Sequence, residues 1–250
     1  MNSPRRGRVK VEPGAKRVRG ILGGGYILDT RRPLLVWEIP YYPAYYIPIG
    51  DVSCELVETG ETRHSPSRGE ATVYDVKADG RVVAGGAYGY RNSPIAELNG
   101  HVRFEWETIE QWFEEDEQIY VHPRSPYTRV DVLPSSRHVQ VQIDGVLIAD
   151  SRQPRILFET GLPPRYYLPK TDVRMDLLRE SKTRTECPYK GEALYYDVEV
   201  NGATYSDYVW WYPTPLPESQ RVIGLLCFYN EKVDLIVDGE LTDRPHTKFS

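Results

Sequence analysis

The sequence predicts a mainly β protein built from two tandem small antiparallel domains, each a β-barrel or β-tent with one or two short helices. Two observations lead there. The phrase CPYKGEALYYDV at residues 187–198 returns, paler, as SPSRGEATVYDV at residues 65–76. Between such landmarks the chain alternates apolar and polar residues in short runs closed by Asp-Gly or Asn-Gly, the pattern of hairpins.

The repeat fixes the organisation. A shift of 121 residues lays Asp29-Thr30-Arg31 on Asp150-Ser151-Arg152, Glu38 on Glu159, Tyr45-Tyr46 on Tyr166-Tyr167, Pro48 on Pro169, and Asp51-Val52 on Asp172-Val173. One further residue of offset lays Gly69-Glu70-Ala71 on Gly191-Glu192-Ala193, and Tyr88-Gly89-Tyr90 on Trp210-Trp211-Tyr212. Collinear matches over about 90 residues mark a duplicated domain rather than a solenoid unit. The expected layout is a disordered basic lead-in over residues 1–16, a degenerate first copy over 17–121, a connector over 122–136, and an intact second copy over 137–250. The two copies are expected to pack on one another.

Within each copy the elements follow in order. Gly23-Gly24-Gly25 reads as a hairpin tip. Val139, Val141 and Ile143 alternate into the Asp144-Gly145 turn, and residues 194–200 turn at Asn201-Gly202 into residues 203–212. Residues 222–230 and 233–237 read as a further antiparallel pair. Two places read as helical: a single turn capped by Asp51 or Asp172, and residues 108–117, whose acidic run suits a solvated helix face. The prolines at 123, 126 and 134 mark the connector.

Composition excludes several classes of function. A net charge of −5 argues against nucleic acid, which demands a concentrated basic surface. No apolar run follows the basic residues 5–19, so neither a secretory signal nor a membrane span is expected. Cys54, Cys187 and Cys227 are odd in number and lack metal spacing, which argues against a disulfide framework and a zinc site and fits a reducing cytoplasm. The five histidines are scattered. No metal and no cofactor is expected.

The succession Asp150-Ser151-Arg152-Gln153-Pro154, Glu159, Tyr166-Tyr167-Leu168-Pro169, 187–191 and Trp210-Trp211-Tyr212-Pro213 resembles the bacterial domain-of-unknown-function family numbered 427, sometimes labelled nucleotidyltransferase-like. The resemblance covers essentially all of the second copy and, more weakly, residues 18–106 of the first. It implies small β-tent or barrel domains. The label implies nucleotidyl transfer, yet the chain shows no Gly-Ser pair followed by spaced carboxylates and no Gly-rich phosphate loop.

The differences between the copies nominate a site. Cys187, Tyr189 and Lys190 stand where the first copy has Ser65, Ser67 and Arg68. A turn that brings thiol and ammonium together favours the nucleophilic thiolate. Glu159 closes an apolar strand and needs a cationic partner; as a catalytic residue it is a general acid or base facing Lys190, and as a structural one it is a salt bridge. Trp210 and Trp211 fall on opposite faces of a strand, so one packs in the core and the other lines a cleft. The candidate catalytic residues are therefore Cys187, Lys190 and Glu159, and the candidate ligand wall is Tyr166, Tyr167, Tyr189, Trp210 and Trp211. Three readings stay open: a pocket for a small anionic or ring-containing molecule with Cys/Lys chemistry, a non-catalytic binding or interaction module, and nucleotidyl transfer.

Overall fold

The computed structural model describes residues 9–247. The chain divides after Ser125 into two compact units. In the first unit the strands are β1 (Lys10–Pro13), β2 (Val18–Leu22), β3 (Gly25–Thr30), β4 (Leu34–Trp37), β5 (Ala44–Pro48), β6 (Glu55–Ser65), β7 (Gly69–Ala78), β8 (Arg81–Tyr90), β9 (His101–Phe104), β10 (Gln111–Glu114) and β11 (Glu117–Ile119). They form a seven-stranded sheet, β1-β4-β5-β9-β8-β7-β6, and a four-stranded sheet, β11-β10-β2-β3.

The second unit repeats this strand for strand: β12 (Val130–Pro134), β13 (Val139–Ile143), β14 (Val146–Ser151), β15 (Arg155–Glu159), β16 (Arg165–Leu168), β17 (Leu178–Cys187), β18 (Gly191–Val200), β19 (Ala203–Trp211), β20 (Leu226–Phe228), β21 (Asp234–Val237) and β22 (Glu240–Leu241). Its sheets run β12-β15-β16-β20-β19-β18-β17 and β14-β13-β21-β22, the same orders as before. All pairings within the sheets are antiparallel, and no pairing among the described residues joins the edges of a sheet into a closed barrel. The regular helical segments among the described residues are 3-10 turns.

Strand alternation gives each seven-stranded sheet two apolar faces. In the second unit Leu168, Val198, Val209, Leu226 and Phe228 face Val139, Val141, Ile148, Leu235 and Val237 of the small sheet and form the inner core. The opposite face carries Tyr167, Ala193, Tyr195, Trp210, Tyr212 and Cys227. Successive residues on one strand thus serve different layers.

The repeated sequence signatures have identifiable structural jobs. Thr30 Oγ1 donates to Asp51 at 2.6 Å, and Ser151 Oγ donates to Asp172 at 2.7 Å, tying a hairpin to the following 3-10 turn in both units. The Asp of each Tyr-Asp-Val phrase sits in a β-bulge. Asp75 Oδ1 accepts from the Gly85 N–H and Asp197 Oδ1 from the Asp207 N–H, both at 2.8 Å, where the bulged residue has φ of +57° or +56°. The Gly23-Gly24-Gly25 tip carries positive φ at Gly23 and Gly24 and lies against Asp79; a Cβ at Gly25 would come within 2.9 Å of its carboxylate.

Five expectations change. The lead-in falls outside the described residues at 1–8, but Lys10–Pro13 is an edge strand paired with β4. The expected connector contains β12, the edge strand of the second unit's large sheet, whose Val132 is buried on that sheet's outer face. Residues 108–117 are not a helix. After a short 3-10 turn they form β10 and the turn into β11, because Trp112 and Glu114 both point inward at a period of two. Glu114 is held by the Lys16 ammonium and the Tyr45 hydroxyl, each at 2.5 Å, and Glu115 takes the positive φ of the turn. Residues 222–230 and 233–237 do not pair either: β20 joins the large sheet and β21 the small one. The turn closed by Lys232 N–H and Val233 N–H on the Tyr229 carbonyl carries the chain across the core. Asp51 and Asp172 end their 3-10 turns and cap no helix.

Candidate functional site

The turn at 187–191 closes the β17–β18 hairpin, with Cys187 paired to Gly191. The Lys190 N–H donates to the Cys187 carbonyl at 3.3 Å, and Gly191 takes φ of +90°, a conformation closed to most side chains. A Cβ on Gly191 would also stand 3.3 Å from the Thr214 carbonyl. The chain beyond β19 fastens the turn from outside: Leu216 N–H donates to the Lys190 carbonyl at 3.1 Å, and Ser219 Oγ to the Tyr189 carbonyl at 3.3 Å.

This turn aims Lys190 over the outer face of the large sheet, where β15 ends at Glu159. The ammonium and the carboxylate meet at 2.5 Å, with side chains 12% and 10% exposed. Burial works against the Lys190 charge, but the sulfur of Cys187 and the carboxylate of Glu159 more than offset it, and its pKa lies above the ordinary lysine value. At neutral pH it is an ammonium, neither a base nor an amine nucleophile. Cys187 is half-buried and takes part in a hydrogen bond with Lys190.

Beneath the pair the aromatic side chains interlock. Trp210 Nε1–H donates to the Tyr167 hydroxyl at 3.1 Å, with the rings edge-on at 6.3 Å. Burial, reinforced by neighbouring Cys227, Cys187 and Glu159, pushes the Tyr167 phenol well up, and burial beside Tyr167 and Cys187 does the same for Tyr212. Cys227, fully buried on β20, is also raised by burial. The Arg165 guanidinium covers the Trp210 ring at 5.5 Å while making a two-pronged bridge to Glu231 at 2.6 and 2.7 Å.

The structure gathers Cys187, Lys190, Glu159, Tyr167 and Trp210 on one face and places Tyr189 in the turn beside them. It separates Tyr166 and Trp211, which lie one residue along their strands and pack against the inner core. Trp211 stacks on Tyr196 at 6.3 Å, under the Lys170 ammonium at 4.1 Å. Those two residues leave the candidate wall. Sequence reasoning missed Tyr212 and Cys227. The signal for Tyr212 was its match to Tyr90, the second aromatic on that face; Cys227 has no like residue in the first copy, where the equivalent strand position holds Arg103.

The same place in the first unit keeps the carboxylate and two of its tyrosines, Tyr46 and Tyr90, and changes its other neighbours. Glu38 accepts from the Tyr46 hydroxyl at 2.6 Å and the Tyr88 hydroxyl at 3.1 Å. Two guanidiniums stand farther off, Arg68 at 3.9 Å and Arg103 at 3.6 Å. Arg68 Nε–H instead donates to the Tyr90 hydroxyl at 2.9 Å, and Ser65 and Ser67 replace the thiol and the tyrosine. A carboxylate facing a cation is therefore common to both units, and the thiol belongs to one.

Among the described residues no group of three or more His, Cys, Asp or Glu side chains is placed to hold a metal ion. No helix among them is long and apolar enough to cross a membrane.

Fold and site together define a tandem β protein with a carboxylate–cation pair at the same place in each unit. The family model for the domain of unknown function DUF427 matches residues 10–115 and again 131–239, and the chain belongs to that family, in two copies. The model carries the label NTP_transf_9. No curated protein matches the chain.

Proposed function

We propose that the second unit binds a small ring-containing molecule at the 187–191 turn, with Cys187 as the reacting group. The observation that carries this reading is the meeting of Cys187, the Lys190–Glu159 pair and the Tyr167–Trp210 couple on one face, at the position where the first unit has lost the thiol. Because Glu159 already balances Lys190, the site favours an uncharged ligand with a polarised carbon over a strong anion. In the proposed step the Cys187 sulfur bonds to a carbonyl carbon, the carbonyl π pair moves onto oxygen, and the thiol proton passes to that oxygen through solvent. The Lys190 ammonium faces the developing charge. Three free cysteines support a reducing compartment such as the cytoplasm, and the net charge of −5 supports a partner other than nucleic acid.

The retained Glu38 cluster supports a second reading, in which the carboxylate–cation pair only holds the fold and the protein is a non-catalytic binding or interaction module. A screen of ring-bearing aldehydes and ketones, read by thermal shift and intact mass, separates the two. The first reading expects stabilisation and a reversible Cys187 adduct, lost in Cys187→Ser and kept in Arg68→Ala. A Cys187 that reacts no faster than a free thiol, with no compound stabilising the protein, refutes it.

A further inference from the structure

The first unit carries an aromatic-walled cleft. It holds about 280 Å³, just below the usual range of ligand sites, between β5, the end of β9 and the segment at 121–123. Its walls are aromatic. Tyr42 and His122 stack at 3.8 Å and 5°, and Trp106 lies over Trp112 at 5.0 Å and 14°, with the Trp112 Nε1–H held by the Trp106 carbonyl at 3.1 Å. These contacts fix the rings, so a flat ligand meets prearranged stacking surfaces.

The polar lining is unsatisfied in a complementary way. Arg103 donates from Nη1 to Glu105 at 2.5 Å, but its Nε–H is buried without a hydrogen-bond partner among the described residues, and Glu38 stays 3.6 Å away. The Glu107 carboxylate, exposed on the 3-10 turn Trp106–Thr108, makes no hydrogen bond or ion pair among the described residues. One cleft thus offers a guanidinium with donor capacity to spare, a carboxylate acceptor, and stacking walls. In the second unit, Cys227 occupies the position of Arg103 and Asn230 that of Trp106. The counterpart of Glu107, Glu231, is consumed by Arg165 and Thr247.

We propose that this cleft binds a planar heteroaromatic lactam, a ring with adjacent carbonyl and N–H. The ring stacks on Trp106 and the Tyr42–His122 wall, its N–H donates to Glu107, and its carbonyl accepts from Arg103. Both hydrogen bonds are charge-assisted, which makes the donor–acceptor order the determinant of selectivity. The site is independent of the Cys187 turn, and the first copy is then a diverged binding domain in its own right.

The test is a titration of the full chain with hypoxanthine and with 1-methylhypoxanthine, read by calorimetry and saturation-transfer NMR. Hypoxanthine is expected to bind, and the methylated ring, which has lost its N–H, at least tenfold more weakly. Glu107→Ala and Trp106→Leu are each expected to weaken hypoxanthine at least tenfold, while Cys187→Ser leaves it unchanged. Glu107 is exposed, so its variant reports on the site even where Trp106→Leu disturbs folding. Equal affinity for the two rings, unchanged affinity in Glu107→Ala, loss of binding in Cys187→Ser, or no binding of hypoxanthine each overturns the proposal.

Discussion

Replacing Lys190 by Met removes the cation from a carboxylate that is about nine-tenths buried. Breaking one side of such a pair costs about 3–5 kcal/mol, because the remaining charge stays desolvated. The carboxyl can escape by taking up a proton, and this sets a ceiling. For a carboxyl of ordinary pKa near 4.3, neutralisation costs about 3.7 kcal/mol at pH 7 and about 1 kcal/mol at pH 5. The expected destabilisation is therefore about 3–4 kcal/mol at pH 7, shrinking by about two thirds at pH 5. Removing both charges in Lys190→Met/Glu159→Leu is expected to cost less than the single change, about 1–2 kcal/mol, since no lone charge remains. Arg68→Met is expected to cost under about 2 kcal/mol, because Glu38 keeps two phenol donors. Scanning calorimetry on the whole chain resolves the units if they melt separately, and a two-state fit to the entire protein is inappropriate here. For a unit of this size about 1 kcal/mol moves Tm by roughly 3–5 °C, so one transition should fall by about 10 °C or more. A fall below about 3 °C, or a double variant as unstable as the single one, refutes the view of Lys190–Glu159 as a buried compensated pair.

Other outcomes follow from the same structure. The folded pKa of Lys190 lies above 10.5, so the stability that this group contributes is complete below about pH 10.5 and is lost as the pH climbs through the folded value. Melts at pH 7 to 10 should hold a constant gap between wild type and Lys190→Met, and on the alkaline side the gap narrows only above that range. Gly191→Ala forces a Cβ into the left-handed region 3.3 Å from the Thr214 carbonyl; a loss of about 1–2 kcal/mol is expected in urea denaturation, against near neutrality for Gly50→Ala, which has open space and no positive φ. Trp210→Phe strips the Tyr167 hydroxyl of its indole donor inside the sheet and should cost about 1–3 kcal/mol, measured the same way.

The duplication made the architecture legible, since matched landmarks at one offset forced two units of one topology, and Asp-Gly and Asn-Gly named the hairpins. Local signals failed where period and charge disagreed. The acidic run after Trp112 read as a helix face because its charges suggest solvent, yet Glu114 is turned inward to Lys16 and Tyr45, partners that lie far away in sequence. β12 hid among prolines because an edge strand tolerates them. For the site, the comparison of copies found Cys187 and Lys190, and the meeting with Glu159 was an expectation that the turn geometry met. Alternation showed that Trp210 and Trp211 part company, but which of them shares a face with Lys190 depends on strand register, set by the bulge at Asp197. Tyr166 and Tyr167 divide for the same reason.

The most direct test of the central claim is the rate at which each of the three cysteines is alkylated by iodoacetamide at pH 7.5, mapped by peptide mass. Cys227 is fully buried and raised by burial, and burial pushes the Cys54 thiol up to about 11. Cys187 is expected to react first, faster than a free thiol in an unfolded peptide, and Lys190→Met to slow it at least tenfold in folded protein. Labelling of Cys187 at or below the peptide rate, or a rate indifferent to Lys190, would contradict a thiol site built on the Lys190–Glu159 pair.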